Sequence, residues 1–239
     1  MLEWDTHFFG FPVAQISQNQ LNSENVKHVL AFCRVHHVRL LQFKCDAHNK
    51  ISIQLAEKHG FHFTDVRMIM ERKIEPEFSP LKLPGEINFR LANNRDVDQL
   101  MEIADDLYSH SRYYFDENFP KDRLGEFYQS WVKKAVLGQF DDYAWVLYDK
   151  NNILGFCTAK VKNRPIARIG LVGIKNLFAG KGYGRLLLLH FLKDLKFRNI
   201  NQVEVVTQGR NIPAQRLYQK SGFLTKCTEI YYHKWFDNQ

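Results

Sequence analysis

The sequence predicts an α/β (α+β) protein built on a mixed sheet with helices on both faces. Three observations carry this. Runs rich in β-branched and aromatic residues alternate with amphipathic runs at helical spacing, yet without a clean strand–helix–strand repeat. A glycine-rich turn at Gly180–Gly184 leads from a strand into a strongly apolar helix. A stretch at 74–86, with three prolines and a glycine in thirteen positions, separates a smaller N-terminal part from a larger C-terminal one. The expected division is an α/β domain over 1–75, a linker over 76–86 and a second domain over 87–239.

After the linker, Ile87–Leu91 reads as a short strand. Asn93 and Asn94 offer capping oxygens for a helix through Val97, Leu100, Ile103, Ala104 and Leu107, whose spacing makes one apolar face. A second helix is expected over Arg123–Leu137, with Leu124, Phe127, Tyr128, Trp131 and Val132 on its buried side. Tyr143–Tyr148, a turn at Asn151-Asn152 and Ile153–Val161 form a hairpin pattern. Ala167–Ile174 is the next strand. The helix Tyr183–Arg198 is apolar nearly all round, which predicts burial. Val203–Thr207 follows as a β-branched strand. A helix opening at Pro213 suits proline in a first turn, and Ser221-Gly222 is a natural stop. Glu229–Trp235 supplies the final strand.

A weak internal repeat also shows. Aligning Asn49 with Asn211 sets Leu55 on Leu217, Lys58 on Lys220, Gly60 on Gly222 and Phe61 on Phe223. Ala56 stands where the second copy has Tyr218. Duplication with loss of the tyrosine accounts for this, and so does the frequency with which αβ units end in Gly-Phe.

Composition narrows the function. With 45% hydrophobic and 25% charged residues, the 239-residue chain is ordinary for a globular protein that buries a core. The first residues, Met-Leu-Glu-Trp-Asp, lack a signal peptide's charged and apolar regions. The longest apolar run, Leu186–Leu189, is too short to cross a bilayer, so no membrane insertion is expected. Cys33, Cys45, Cys157 and Cys227 show no CxxC spacing, consistent with reduced thiols and a cytoplasmic location. The net charge of +7 is scattered. A solvated basic surface fits it, and so does a phosphorylated small-molecule partner; with no nucleic-acid motif, no nucleic-acid partner is expected. His36-His37 and His59-x-x-His62 lack a third ligand at a telling spacing, so no metal is expected.

The strongest local feature is Ala179-Gly180-Lys181-Gly182-Tyr183-Gly184-Arg185. Glycines let the backbone approach a ligand, and the following helix N-terminus offers free N–H groups and a positive dipole end, as a pyrophosphate requires. The GxxxxGK[ST] pattern and the G-x-G-x-x-G fingerprint are both missing. By itself the turn fits a structural role as well as an anion site. One strand later, a helix begun at Pro213 places Ala214, Leu217, Tyr218 and Ser221 on one face. Tyr218 can then be a core tyrosine, or a phenol that donates a proton in a crevice.

Together these segments resemble the GNAT N-acetyltransferase superfamily, whose members carry [Q/R]-x-x-G-x-[G/A] and then N-x-x-A-x-x-x-Y-x-x-x-G-F. Here the first reads Ala179-x-x-Gly182-x-Gly184, with alanine at the leading position. The second matches at Asn211, Ala214, Tyr218, Gly222 and Phe223. The resemblance covers roughly 87–239 and implies a mostly antiparallel GNAT-type sheet; the N-terminal domain is a degenerate half-copy if the weak repeat reflects duplication, and an unrelated αβ unit if it does not. Trp4-Asp-Thr-His-Phe8-Phe9-Gly10, Ser111-Arg112-Tyr113, Phe127-Tyr128-x-x-Trp131 and Arg168-Ile-Gly-Leu171 extend the likeness to the branch that acetylates dTDP-4-amino-4,6-dideoxygalactose. The stretch between Leu171 and Ala179 is longer here than in that branch.

The resemblance implies acetyl-CoA as co-substrate. Backbone groups of Leu171, Val172, Gly173 and Ile174 would bind the pantetheine arm and thioester. Amides of Ala179, Gly180, Lys181, Gly182, Tyr183, Gly184 and Arg185 would hold the pyrophosphate. Asn211 would contact the cofactor, and Tyr218 would protonate the departing thiolate after direct attack by an amine. The acceptor would be a nucleotide-linked aminosugar, and the protein a homodimer. Arg112, Tyr113, Tyr114 and Asp116, with Tyr128 on the next helix, are candidates for holding that sugar, since arginine binds phosphate and aromatics stack on bases; packing within a loop explains them equally. His110 and Asp116 are candidate bases, alongside a water chain. Another amine, a protein N-terminus, or a silent acyl-CoA-binding module are the alternatives.

Overall fold

The computed structural model describes residues 1–80, 82–105, 107–150, 152–161 and 165–236. Leu81 of the expected linker and Asn151 of the expected turn lie outside the described residues. The strands are β1 (Val13–Gln15), β2 (Leu40–Asp46), β3 (His62–Lys73), β4 (Ile87–Leu91), β5 (Tyr143–Asp149), β6 (Asn152–Val161), β7 (Ile166–Ile174), β8 (Gln202–Gln208) and β9 (Leu224–Trp235). The helices are α1 (Glu3–Phe9), α2 (Asn25–Val35), α3 (Lys50–Lys58), α4 (Val97–Asp105), α5 (Arg112–Phe115), α6 (Leu124–Val136), α7 (Tyr183–Phe197) and α8 (Ile212–Lys220).

These elements fall into two compact units whose bounds follow strand pairing rather than chain order. The first holds 1–68, 208–210 and the described residues from 227 onward; the second holds 69–207 and 211–226. The long strands β3 and β9 each run from one unit into the other, and the segment 76–86 falls inside the span of the second.

In the first unit the strand order is β1-β2-β9-β3. β2 is parallel to β1 and antiparallel to β9, in register from Leu40↔Trp235 to Asp46↔Glu229. Its core gathers Val26 and Cys33 of α2, Ala56 of α3, and Leu41, Phe43, Cys45, Phe61 and Tyr232. Phe43 and Tyr232 stack at 6.4 Å.

In the second unit the order is β3-β8-β7-β6-β5-β4. β4 to β7 pair antiparallel in sequence, while β7 and β8 are parallel, which makes the sheet mixed and mostly antiparallel. α7 lays Leu187, Leu188, Phe191, Leu192 and Leu195 against Trp145, Leu147, Val203 and Val205. Trp145 packs edge-on against Phe191 at 4.9 Å and donates its indole N–H to Asp194 at 2.9 Å. α4 and α6 pack together, and both touch β6. The helix begun at Asn93 carries the expected cap, reinforced by Asp96 in a capping box.

Three expectations need correction. α7 is not buried all round: Arg185, Lys193 and Phe197 are exposed, because its sheet covers only one side. β9 starts at Leu224 instead of Glu229. Its first residues are exposed and show no alternation, but Lys226 is paired with Glu71 and Glu204. On α6, Trp131 is only half-buried while Leu124, Phe127, Tyr128 and Val132 are buried as expected.

Candidate active site

The site begins with a ladder that stops short. β7 and β8 pair only at Ile166↔Gln202, Ala167↔Val203 and Arg168↔Glu204. Both strands continue, to Ile174 and Gln208, and the other edge of β7 stays bonded to β6 as far as Ile174↔Gly155. The two parallel strands therefore part toward their C-terminal ends. Backbone groups on that edge of β7 face an opening at the carboxyl end of a parallel pair, where α/β sheets take ligands.

From Ile174 the chain passes through a 3-10 turn, Asn176–Phe178, into the glycine segment. Gly180 and Gly182 have φ of +75° and +88°, which a side chain would strain. Gly182 is the N-cap of α7, and its carbonyl accepts from the amides of Arg185 at 3.1 Å and Leu186 at 3.2 Å. A first helical turn leaves its own N–H groups without intrahelical acceptors and carries the positive end of the dipole. Residues 179–182 are exposed, as is Arg185, so amides and cations together can meet an anion there. Gly184 serves contact instead: a Cβ there would press on Leu217 at 3.2 Å and approach Ile174 at 3.6 Å. Its absence lets α7 close on β7 and α8.

α8 opens at Asn211, whose side chain accepts from the Ala214 amide at 3.1 Å, with Pro213 in the first turn. Near its end, Tyr218 is 5% exposed and packs edge-on against Phe223 at 5.7 Å. Burial pushes the phenol above the ordinary tyrosine range, and the neighbouring Cys157 adds to this. Cys157 is itself buried and its thiol is raised by burial, then by Asp141. Burial thus holds both groups in their neutral forms, a phenol beside a thiol.

The structure brings a further tyrosine to this spot. Tyr108, in the segment after α4, stacks on Tyr128 at 4.3 Å and donates its hydroxyl to the Val172 carbonyl at 3.3 Å. Burial raises its phenol, with Tyr218 and Tyr128 contributing. Gly173 keeps that wall close, since a Cβ there would meet Leu107 and Phe156 at 2.6 Å. In the sequence Tyr108 falls between the apolar face that ends at Leu107 and the candidates that begin at His110. Tyr108 belongs to no motif, and only the continuing helical spacing pointed toward β7.

The segment expected to hold the acceptor is distributed differently from a simple aromatic platform. Tyr113 is buried, edge-on to Phe119 at 4.9 Å and Phe127 at 5.0 Å. Arg112 lies 4.0 Å over the Tyr113 ring and bonds its hydroxyl. Asp116 is buried and accepts from the Asn118 amide and side chain, which shapes the turn after α5. Tyr114 is half-buried and His110 exposed. Tyr128 meets the wall of β7 through Tyr108.

A short parallel ladder opens beside a glycine turn, a helix N-terminus and a buried phenol, an arrangement that could hold an extended, phosphorylated ligand. Residues 98–223, more than half of the chain, match the Acetyltransferase (GNAT) family, and the chain belongs to that family. Over 145 residues it is 29% identical to the dTDP-fucosamine acetyltransferase of Escherichia coli O6:H1, covering 60% of this chain and 62% of that protein. Over 142 residues it is 27% identical to the spore coat polysaccharide biosynthesis protein SpsD of Bacillus subtilis, covering 59% and 48% respectively. The chain thus spans between about half and under two thirds of these relatives. Among solved structures, a tandem GNAT protein from the clavulanic acid biosynthesis pathway superposes with a TM-score of 0.67 at 13% identity, over 96% of this chain and 77% of that one. The PaiA N-acetyltransferase of Thermoplasma acidophilum, in complex with coenzyme A, superposes at 0.51 with 19% identity, over 64% of this chain and 100% of that one. At these identities the likeness is one of fold. Among the described residues no cluster of His, Cys, Asp and Glu suits a metal ion, and no helix is long and apolar enough to cross a membrane.

Proposed function

We propose that the protein is an acetyl-CoA-dependent N-acetyltransferase that acts on a nucleotide-linked 4-aminosugar, with dTDP-4-amino-4,6-dideoxygalactose the favoured acceptor. The observation that carries the reaction is the meeting, in one unit, of the open edge of β7, the positive-φ turn at Gly180–Gly182 and the buried phenol of Tyr218. The edge of β7 over 171–174 would take the pantetheine amides and thioester carbonyl. The amides of 180–185, flanked by Lys181 and Arg185, would take the pyrophosphate. Asn211 would line the cofactor and hold α8 in place through its cap.

In the reaction the amine nitrogen forms a bond to the acetyl carbonyl carbon as the carbon–sulfur bond breaks. Tyr218 supplies the proton to the departing sulfur, and its raised pKa keeps that proton in place at neutral pH. The amine's surplus proton passes to a base or to water, and the Tyr218 phenolate is reprotonated from solvent before the next turnover. Cys157, buried and held as a thiol, suits direct transfer without an acyl-enzyme. The acceptor assignment is supported by the similarity to a dTDP-fucosamine acetyltransferase and by a cation and aromatics in one segment: Arg112, Tyr114 and Tyr128, with Tyr113 and Asp116 shaping the loop that presents them. The buried free thiols of Cys33, Cys45 and Cys157 suit a reducing cytoplasm.

The test is mass spectrometry of the purified chain with acetyl-CoA and a panel of dTDP- and UDP-aminosugars. One acetyl gained by dTDP-4-amino-4,6-dideoxygalactose, and little by its C4 epimer, is expected. Acetyl-CoA binding with no sugar modified would refute the acceptor and redirect the search to other amines. No acetyl-CoA binding would refute the whole reading.

A further inference from the structure

Where β7 begins to leave β8, its ladder to β6 is also irregular. Cys157 pairs with Val172, but the next pair is Ala159 with Ile169. Gly170 and Leu171 together oppose Thr158, the count that defines a β-bulge. A bulge displaces one amide from the ladder, and here a side chain receives it: Leu171 N–H donates to Thr158 Oγ1 at 2.9 Å. Thr158 in turn donates its hydroxyl to Asp141 Oδ2 at 2.6 Å. The hydroxyl has one proton and is committed in both directions, so the polarity of the chain is fixed.

All three members are buried, Asp141 at 5% and Thr158 at 0% exposure. Gly170 is part of the same device. A Cβ there would collide with Asp141 Oδ2 and reach Thr158 Oγ1 at 2.8 Å, so only glycine lets the carboxylate lie against the bulge. Asp141 lies in the segment between α6 and β5. The segment that carries Asp141 is thereby tied to the strand that carries Leu171.

We infer that Asp141 and Thr158 are positioning residues: they hold the bulge at Gly170–Leu171 and thereby set the alignment of the strand edge that receives the thioester. This rests on the reading of β7 over 171–174 as that edge. A bulge turns the residues beyond it relative to those before it. Releasing it should misplace the edge by a fraction of an ångström to an ångström, enough to cost one to two orders of magnitude in rate while leaving the cofactor bound. The pyrophosphate turn lies beyond Ile174 and is not part of the relay.

The experiment compares Thr158→Val, which keeps the shape and removes the relay, with Thr158→Ser, which keeps the hydroxyl. Three readouts are taken on the full chain: amide hydrogen exchange at Leu171, the carbonyl resonance of bound [1-13C]acetyl-CoA, and kcat with dTDP-4-amino-4,6-dideoxygalactose. Thr158→Val should speed exchange at Leu171 by about tenfold or more and shift the carbonyl toward its free-solution position. It should lower kcat about tenfold or more while changing the Kd for acetyl-CoA by less than about threefold. Thr158→Ser should restore all three. If Thr158→Val does not fold, Asp141→Ala, which removes the acceptor, is read in the same way, with faster Leu171 exchange expected. Unaltered exchange and carbonyl resonance in either folded variant would overturn the inference, and so would a serine variant as impaired as the valine one. A wild-type chain that binds acetyl-CoA but acetylates no sugar would sink the acceptor assignment alone, because exchange and the carbonyl resonance still decide the relay.

Discussion

Replacing Tyr218 by phenylalanine separates chemistry from packing more cleanly than any other change in this site. The ring is buried and rests against Phe223 at 5.7 Å, contacts a phenylalanine would keep. Among the described residues the Tyr218 hydroxyl makes no hydrogen bond, so its removal breaks nothing that holds the fold. Loss of one neutral hydroxyl without a partner should change stability by less than about 1 kcal/mol. Loss of a proton donor costs about 10² to 10⁴ in rate. A hundredfold fall corresponds to about 2.7 kcal/mol of transition-state stabilisation. The assay is thiol release from acetyl-CoA under saturating acceptor, with the Kd for acetyl-CoA and the Tm measured on the same preparations. A kcat lowered about 10²-fold or more, with Kd and Tm nearly unchanged, is expected. A kcat within threefold of wild type would refute the proton-donor role and leave Tyr218 as packing. The pH profile gives a second check with a definite sign. Burial raises the phenol, so the donor form persists as pH rises, and Tyr218 should produce no descending limb below about pH 10. A limb centred well below that, abolished in the phenylalanine variant, would show that the phenol is not held neutral.

Other substitutions test the frame around it. Gly182→Val forces a β-branched residue to φ +88° at the mouth of α7; acetyl-CoA affinity should fall about tenfold or more by calorimetry, and an unchanged Kd would remove the turn from the cofactor site. Asn211→Ala and Asn49→Ala should each cost about 1 kcal/mol in urea unfolding, since each side chain caps a helix, at 3.1 Å to Ala214 and 2.9 Å to Ser52. Only Asn211→Ala should also weaken acetyl-CoA binding, and equal binding by both variants would confine Asn211 to capping. Glu204 is raised by burial, but hydrogen bonds from Lys226 and Arg168 outweigh this and hold its carboxyl at about 2. A depressed carboxylate stabilises the fold above its unfolded value near 4.5 and loses that contribution as pH falls toward 2. Denaturation of Glu204→Gln should therefore show a flatter stability profile from pH 4.5 to 2 than wild type, and parallel profiles would refute the assignment.

Much of the second unit was legible in the sequence because its signals are local. Asn211-Ile-Pro fixes where α8 starts, through a capping oxygen and a proline that needs no donor. Gly180 and Gly182 announced a turn that only glycine adopts without strain. The strand limits of β4, β5 and β7 followed from runs of β-branched and aromatic residues. What escaped was set by contacts distant in sequence. The exposed start of β9 carries no alternation, and its order comes from Lys226 meeting Glu71 and Glu204. Tyr108 gains its place by reaching Val172, 64 residues away. The bulge is invisible in β7 itself, because Gly170 is required by a carboxylate near position 140 and a hydroxyl on β6.

The two aligned segments separate scaffold from chemistry. α3 and α8 are each capped by asparagine, and each is followed by a glycine at positive φ, Gly60 at +70° and Gly222 at +80°. In each, a phenylalanine amide closes the turn at 3.0 Å: Phe61 on the Ala56 carbonyl, Phe223 on that of Tyr218. Cap, stop and closing bond are thus the same physical solution used twice, and none of them needs a reactive group. The residues that accept those closing bonds differ in their side chains. Ala56 is a fully buried methyl with nothing to donate, while Tyr218 places a neutral phenol beside Cys157. The strands before the two helices are also alike in one respect: β2 pairs in parallel with β1 at three positions, as β8 does with β7. The two segments thus share their scaffold and differ where Ala56 stands in one and Tyr218 in the other, and the proposed reaction needs the phenol that only the second carries.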